Sequence, residues 1–203
     1  MSTEHHDIRQ SILDTAKPII LGKGFSAVGL NEILCAADVP KGSFYHYFKS
    51  KELFGEALLD SYFTDYLSQL DALLSRPGLS AADRLMSYWR EWLETQASGD
   101  IDGKCLAVKL GGEVSDLSEP MRSALQRGTH RVIERLAQCI AEGIADGSLS
   151  AELDVPRSAQ TLYEMWLGAT LLTKIRRDRS ALDGAMAATL QWLRLPATAP
   201  DSP

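Results

Sequence analysis

Apolar residues recur at three- and four-residue spacing along nearly the whole chain, and no strand-like alternation persists. Ile8, Ile12, Ala16, Ile19 and Ile20 give a first helix one apolar face, and Gly22 and Gly24 stop it. Pro18 lies inside that helix, removes one backbone hydrogen bond and predicts a kink or a local loosening. A short second helix runs from about Gly29 to Ala36. A break at Asp38-Val39-Pro40 leads to a third from Lys41 to Phe48. Ser50 is placed to cap a long fourth helix, Ser80 a fifth to about Ala97, and Asp102 a sixth to about Asp116. Pro120 suits the first turn of a seventh, striped by Met121, Leu125, Val132, Leu136, Ile140 and Ile144. Asp154-Val155-Pro156 starts an eighth, and Leu182, Ala185, Met186, Thr189, Leu190 and Leu193 mark a ninth. The expected fold is all-α, with about nine helices: a short-helix unit over 1–50, a longer-helix domain over 51–195 and a flexible tail over 196–203.

Composition narrows the functional classes. The 203 residues are 45% hydrophobic and 24% charged, the mix of a globular protein. No run of 18 apolar residues offers a membrane span, and MSTEHHDIRQ lacks the apolar core of a signal peptide. Cys35, Cys105 and Cys139 are then expected to be reduced thiols in a cytoplasm. P-loop, GxSxG, HExxH and CxxC motifs are all missing, His130 has no matched partner, and Gly111-Gly112 is an isolated pair. An enzyme is therefore disfavoured, and no cofactor or metal is expected. The pair His5-His6, in an N-terminal tail, is not read as a metal site.

The net charge of -6 gives no global field for nucleic acid, so the placement of the positive charges decides. Residues 41–51 hold Lys41, Lys49 and Lys51 and no acid, a positive tip on an acidic chain. Two short helices flanking a tight turn read as a helix-turn-helix. The second opens Lys41-Gly42-Ser43, with unbonded backbone amides suited to a phosphate and a glycine that admits close approach. Phe44 and Phe48 form its inward face, which turns Ser43, Tyr45, His46 and Tyr47 outward. Two tyrosines and a histidine in an outward row suit phosphates and base edges.

The segment GLNEILCAADVPKGSFYHYFKSKELF, Gly29 to Phe54, resembles the N-terminal domain of the tetracycline-repressor family of bacterial regulators. The resemblance implies a helix-turn-helix DNA-binding domain over 1–50 and a helical sensing and dimerisation domain over 51–195. It further implies a homodimer on an inverted-repeat, double-stranded operator. DNA contacts carry over to Lys41, Gly42, Ser43, Tyr45, His46, Tyr47 and Lys51. Val28 and Gly29 stand where members often carry Thr and Ser, so Asn31 is the expected contact from the second helix.

The C-terminal part holds two further chemical candidates. With Asp102 as cap, Cys105 takes the third helical position, where the positive helix end and the flanking Lys104 and Lys109 favour a thiolate. On the eighth helix, Tyr163, Leu167, Thr170, Leu171 and Lys174 fall on one side and Leu162, Trp166, Ala169 and Thr173 on the other. A helix apolar on two sides predicts burial on two sides, one against its own domain and one against a partner subunit. Trp166, Leu190 and Leu193 are the expected dimer anchors.

The runs CLAVKL, EVSDLSEPMRSA and LYEMWLGA resemble the electrophile-sensing branch of the same family. That resemblance implies that Cys105 senses quinones, aldehydes or reactive chlorine, that Lys174 is its partner in a reversible link, and that detoxification genes are controlled. The alternative is a repressor of the same fold induced by a non-covalently bound small molecule. Loss of thiol on effector treatment separates the two.

Overall fold

In a computed structural model, backbone is described for residues 2–97 and 105–196 and side chains from residue 8 onward. His5 and His6 as side chains, the Asp102 cap, Lys104 and the tail beyond residue 196 lie outside the described residues.

Among those described residues there are nine helices and no strand. They are α1 Ser2–Lys23, α2 Leu30–Ala36, α3 Lys41–Phe48, α4 Lys51–Leu74, α5 Ala81–Ala97, α6 Leu106–Val114, α7 Glu119–Ala145, α8 Val155–Arg176 and α9 Ser180–Trp192. The chain forms two compact units, residues 1–66 with 100–129 and residues 67–99 with 130–203. The described helix ends have chemical causes. Gly24 stops α1 at φ +93, a left-handed conformation open to glycine, and its N–H closes on the Ile20 carbonyl at 2.8 Å. The Ser50 hydroxyl accepts the Leu53 N–H at 3.2 Å, Ser80 that of Asp83 at 3.1 Å, and the Asp154 carboxylate that of Arg157 at 3.1 Å. α1 continues without a break through Pro18.

In the first unit, Ile12, Ala16, Ile20, Val28, Ile33, Phe44 and Phe54 are wholly buried. Phe44, Phe48 and Phe54 form an aromatic triangle, with ring centroids 5.1 to 5.3 Å apart, that joins α3 to the start of α4. Gly128 on α7 lies hard against Phe63: a Cβ there would sit 2.1 Å from the ring. Gly128→Ala is expected to destabilise the protein by about 1–3 kcal/mol through overpacking, read as a lower urea midpoint.

The second unit is built on an aromatic core. Trp89 of α5 stacks on Trp166 of α8 at 5.0 Å and 15°, and the Trp166 indole N–H donates to Thr189 Oγ1 of α9 at 2.9 Å. Two expectations are corrected here. Trp166 and Leu193, expected as dimer anchors, are buried inside their own subunit, because the three helices α5, α8 and α9 close over them; Leu190 is half-buried. Of the two expected sides of α8, Leu162, Trp166, Ala169 and Thr173 are all buried, while the other is mixed: Tyr163 and Thr170 are buried, Leu167 and Lys174 half-buried and Leu171 exposed. The outward stripe is instead Glu164, Gly168, Leu171, Leu172 and Ile175.

Candidate functional site

The candidate reading head is α2, a turn and α3. The turn is closed by Ala37 N–H on the Ile33 carbonyl at 2.9 Å and Val39 N–H on Leu34 at 3.1 Å. Asp38 sits between them at φ 53, a conformation that Asp tolerates better than most residues. Pro40 leads into α3 in extended conformation, and its carbonyl accepts the Ser43 N–H at 2.9 Å.

The side chains fall as their spacing requires. Phe44 and Phe48 are buried, while Lys41, Gly42, Tyr45 and His46 are exposed and Ser43 and Tyr47 half-buried. Tyr45 is 45% exposed although it is a large aromatic, so folding does not account for it. A Cβ on Gly42 would meet nothing within 4 Å, so no internal packing demands that glycine. Asn31 is exposed on α2, and Val28, standing where family members often carry a polar cap, fills the core. Lys51 is placed differently: its Nζ donates to the Phe25 carbonyl at 2.9 Å and lies 4.7 Å over the Phe25 ring. It anchors the α1–α2 turn and keeps two further N–H donors for other partners.

The three cysteines have distinct settings, and none forms a disulfide. Cys35 is exposed on α2. Cys139 is fully buried, donates to the Ala81 carbonyl at 3.5 Å, and has its pKa pushed up to about 11 by burial. Its folded pKa exceeds the ordinary thiol value, so the folded state favours the neutral thiol. Stability is complete below pH 9 and is expected to fall by about 2–3 kcal/mol as pH rises towards 11. Urea unfolding across that range should show a slope in the wild type that Cys139→Ala lacks.

Cys105 stands at the N-cap of α6 and not at the third helical position, because the helix begins only at Leu106. It is 8% exposed, and the Tyr62 hydroxyl donates to its sulfur at 3.8 Å. Tyr62 in turn stacks on Tyr66 at 5.8 Å and carries the Lys17 ammonium 5.6 Å over its ring. Lys109, expected to act one turn from the thiol, directs its ammonium to the Gly22 carbonyl at 3.4 Å. In the second unit, Lys174 is half-buried near the end of α8.

Sequence reasoning missed Tyr62, which lies 43 residues from Cys105, and the carboxylate of Glu113. Glu113 accepts the Phe25 N–H at 3.2 Å and the Ser26 N–H at 2.5 Å. No local pattern announces either contact; each depends on how α6 packs beside α1 and α4. Among the described residues no group of three His, Cys, Asp or Glu could hold a metal, and no helix is long and apolar enough to cross a membrane.

A helix-turn-helix head with a polar aromatic reading face, joined to a helical C-terminal part, defines a DNA-binding regulator. Residues 12–58 match the family described as bacterial regulatory proteins, tetR family, and residues 81–189 match the tetracyclin repressor-like C-terminal domain. The chain belongs to the TetR family. It is 42% identical over 193 residues to the HTH-type transcriptional repressor NemR of Escherichia coli K12, covering 95% of this chain and 96% of that one. It is 33% identical over 192 residues to the HTH-type transcriptional repressor DhaR of Mycobacterium sp. GP1, covering 94% of each. The crystal structure of reduced E. coli NemR superposes with a TM-score of 0.87 at 41% identity, over 95% of this chain and all of that one. These relatives are transcriptional regulators, which sets the enzyme reading aside.

Proposed function

We propose that the protein is a dimeric repressor that grips an inverted-repeat operator through α3 and leaves it when an electrophile or oxidant modifies Cys105. The observation that carries the switch is the placement of Cys105. Its sulfur is sheltered under Tyr62 just before the first residue of α6, so any added group requires α6 or Tyr62 to move. The likeness to NemR over nearly the full chain supports the same reading. Tyr45, His46, Tyr47 and Asn31 reach base edges in this reading, while Lys41, Gly42, Ser43 and Lys51 meet phosphates. The regulated genes are those of detoxification.

Alkylation by a maleimide forms one C–S bond, moves the thiol proton to the neighbouring carbon and releases nothing. Hypochlorous acid instead transfers chlorine to the thiolate sulfur and expels hydroxide. An amine then displaces the chloride and loses a proton.

Cys35 is exposed and consumes reagent, so the test uses a Cys35→Ser background. Adding Cys105→Ser should leave operator affinity unchanged and abolish release by a maleimide. Release of the Cys105→Ser protein by either reagent would overturn covalent sensing.

One observation favours the second reading, a non-covalent effector. Trp89 Nε1 and Thr173 Oγ1 are buried in the second unit with no hydrogen-bond partner among the described residues. An uncharged small molecule bearing an acceptor would satisfy the indole N–H. Such an effector would release the operator with all thiols still titratable.

A further inference from the structure

α6 is a straight connection between two kinds of contact within the first unit. At its start stands Cys105, under Tyr62. Two helical turns later, about 12 Å along the axis, stands Glu113. Its carboxylate holds the Phe25 and Ser26 amides of the turn that joins α1 to α2. That turn is shaped around the carboxylate. Gly24 adopts φ +93, and a Cβ there would come within 2.9 Å of Glu113 Oε2. The same peptide is held from its other side, since Lys51 at the start of α4 donates to the Phe25 carbonyl. Lys109, one turn before Glu113, adds a bond to Gly22. Burial acts to raise the Glu113 pKa, but the bonds from Ser26 and Phe25 and the charge of Lys109 outweigh it and hold the carboxyl below its ordinary range. The group is therefore charged at neutral pH, the form that accepts both amides most strongly.

We propose that Glu113 is the positioning residue that carries the state of Cys105 to the reading head, by holding the α1–α2 turn while the thiol is unmodified and releasing it when modification displaces α6. This rests on the covalent reading above. α6 is short and hydrogen-bonded throughout, so a shift at its N-terminus moves its far end as a body. The turn leads directly into α2, α2 packs on α3, and Ile33 of α2 and Phe44 of α3 are both wholly buried. Release of the two amides thus loosens the base of the reading head, and with it the peptide whose carbonyl holds Lys51. Without the clamp both amides turn to solvent, which gives the change a local readout.

The experiment uses the full chain in the Cys35→Ser background, with N-ethylmaleimide as probe and mass measurement of adduct at Cys105. In the parent, alkylation should lower operator affinity by about 5- to 150-fold, the usual span of coupling between two sites. Amide exchange at Phe25 and Ser26 should quicken while that of Ile33 stays slow. Glu113→Ala should start at reduced affinity, take up the adduct to the same extent, and respond by less than about twofold. Glu113→Gln, which keeps one acceptor oxygen, should respond to an intermediate degree. A full response in Glu113→Ala would overturn the role of Glu113 and leave covalent sensing standing. An alkylated parent that still binds operator fully would overturn covalent sensing, and the latch with it. If Glu113→Ala fails to fold, the parent decides alone: unchanged exchange at Phe25 and Ser26 after alkylation overturns the proposal.

Discussion

Replacing Tyr45 and His46 together by alanine is expected to reduce operator affinity by at least about 10³-fold, down to the level of non-specific binding. Each base-edge contact contributes about 1–3 kcal/mol of discrimination, and a dimer doubles every contact. The fold should not suffer. Tyr45 and His46 are exposed, and the Phe44–Phe48–Phe54 triangle beneath them is untouched. Thermal unfolding should therefore shift little while footprints vanish. Lys41→Ala makes the contrasting case. It should weaken specific and random DNA alike and flatten the salt dependence by about one counterion for each phosphate left without its lysine. A double variant that still protects the operator would show that sequence is read elsewhere.

The reading head is largely legible in the sequence because its signals are local. The helical spacing of Phe44 and Phe48 fixes the inner face of α3, and the outer face follows by geometry. The observed bounds of α3, Lys41–Phe48, coincide with those expected, and α2 differs only in that Gly29 stands just outside it. The long helices are legible for the same reason. The stripe on α7 falls in the observed helix, as does the template on α9 apart from Leu193, which caps its C-terminus.

What stays hidden depends on distant partners. The periodicity starts α6 near Asp102, but the described helix begins at Leu106, so Cys105 lies one residue outside it. Lys109 carries the charge that the periodicity assigns to the thiol, yet a carbonyl on α1 draws it away. The role of Glu113 involves residues 87 and 88 positions distant, beyond any local rule. α8 misleads for a different physical reason. Its two apolar sides suggest Trp166 as a partner contact, whereas that ring stacks on Trp89 of α5 and is tied to Thr189 of α9 by its indole N–H; of the residues on those sides, Leu171 alone is exposed.

That correction moves the expected dimer seam and yields the second large effect. The surface of α8 leaves Leu171 49%, Leu172 40% and Ile175 67% exposed, side chains that a stable monomer would ordinarily cover. Beside them, a Cβ on Gly168 of α8 or on Gly184 of α9 would meet nothing within 4 Å. Small residues next to a large apolar stripe let a second helix pair approach closely, as the proposed dimer requires. Leu171→Glu combined with Ile175→Glu would bury two carboxylates per subunit at that seam, and the two-fold axis would set like charges near one another. Each uncompensated buried charge costs several kcal/mol, so the dimer should dissociate at micromolar concentration, read by sedimentation. Operator affinity should collapse in step, since a monomer engages one half-site and forgoes the gain of simultaneous docking. Folding should persist, because neither side chain belongs to the aromatic core of Trp89, Trp92 and Trp166. Leu190→Glu alone tests the neighbouring half-buried position and should weaken the dimer less. A Leu171→Glu, Ile175→Glu protein that sediments as a dimer would place the seam away from the outward stripe of α8.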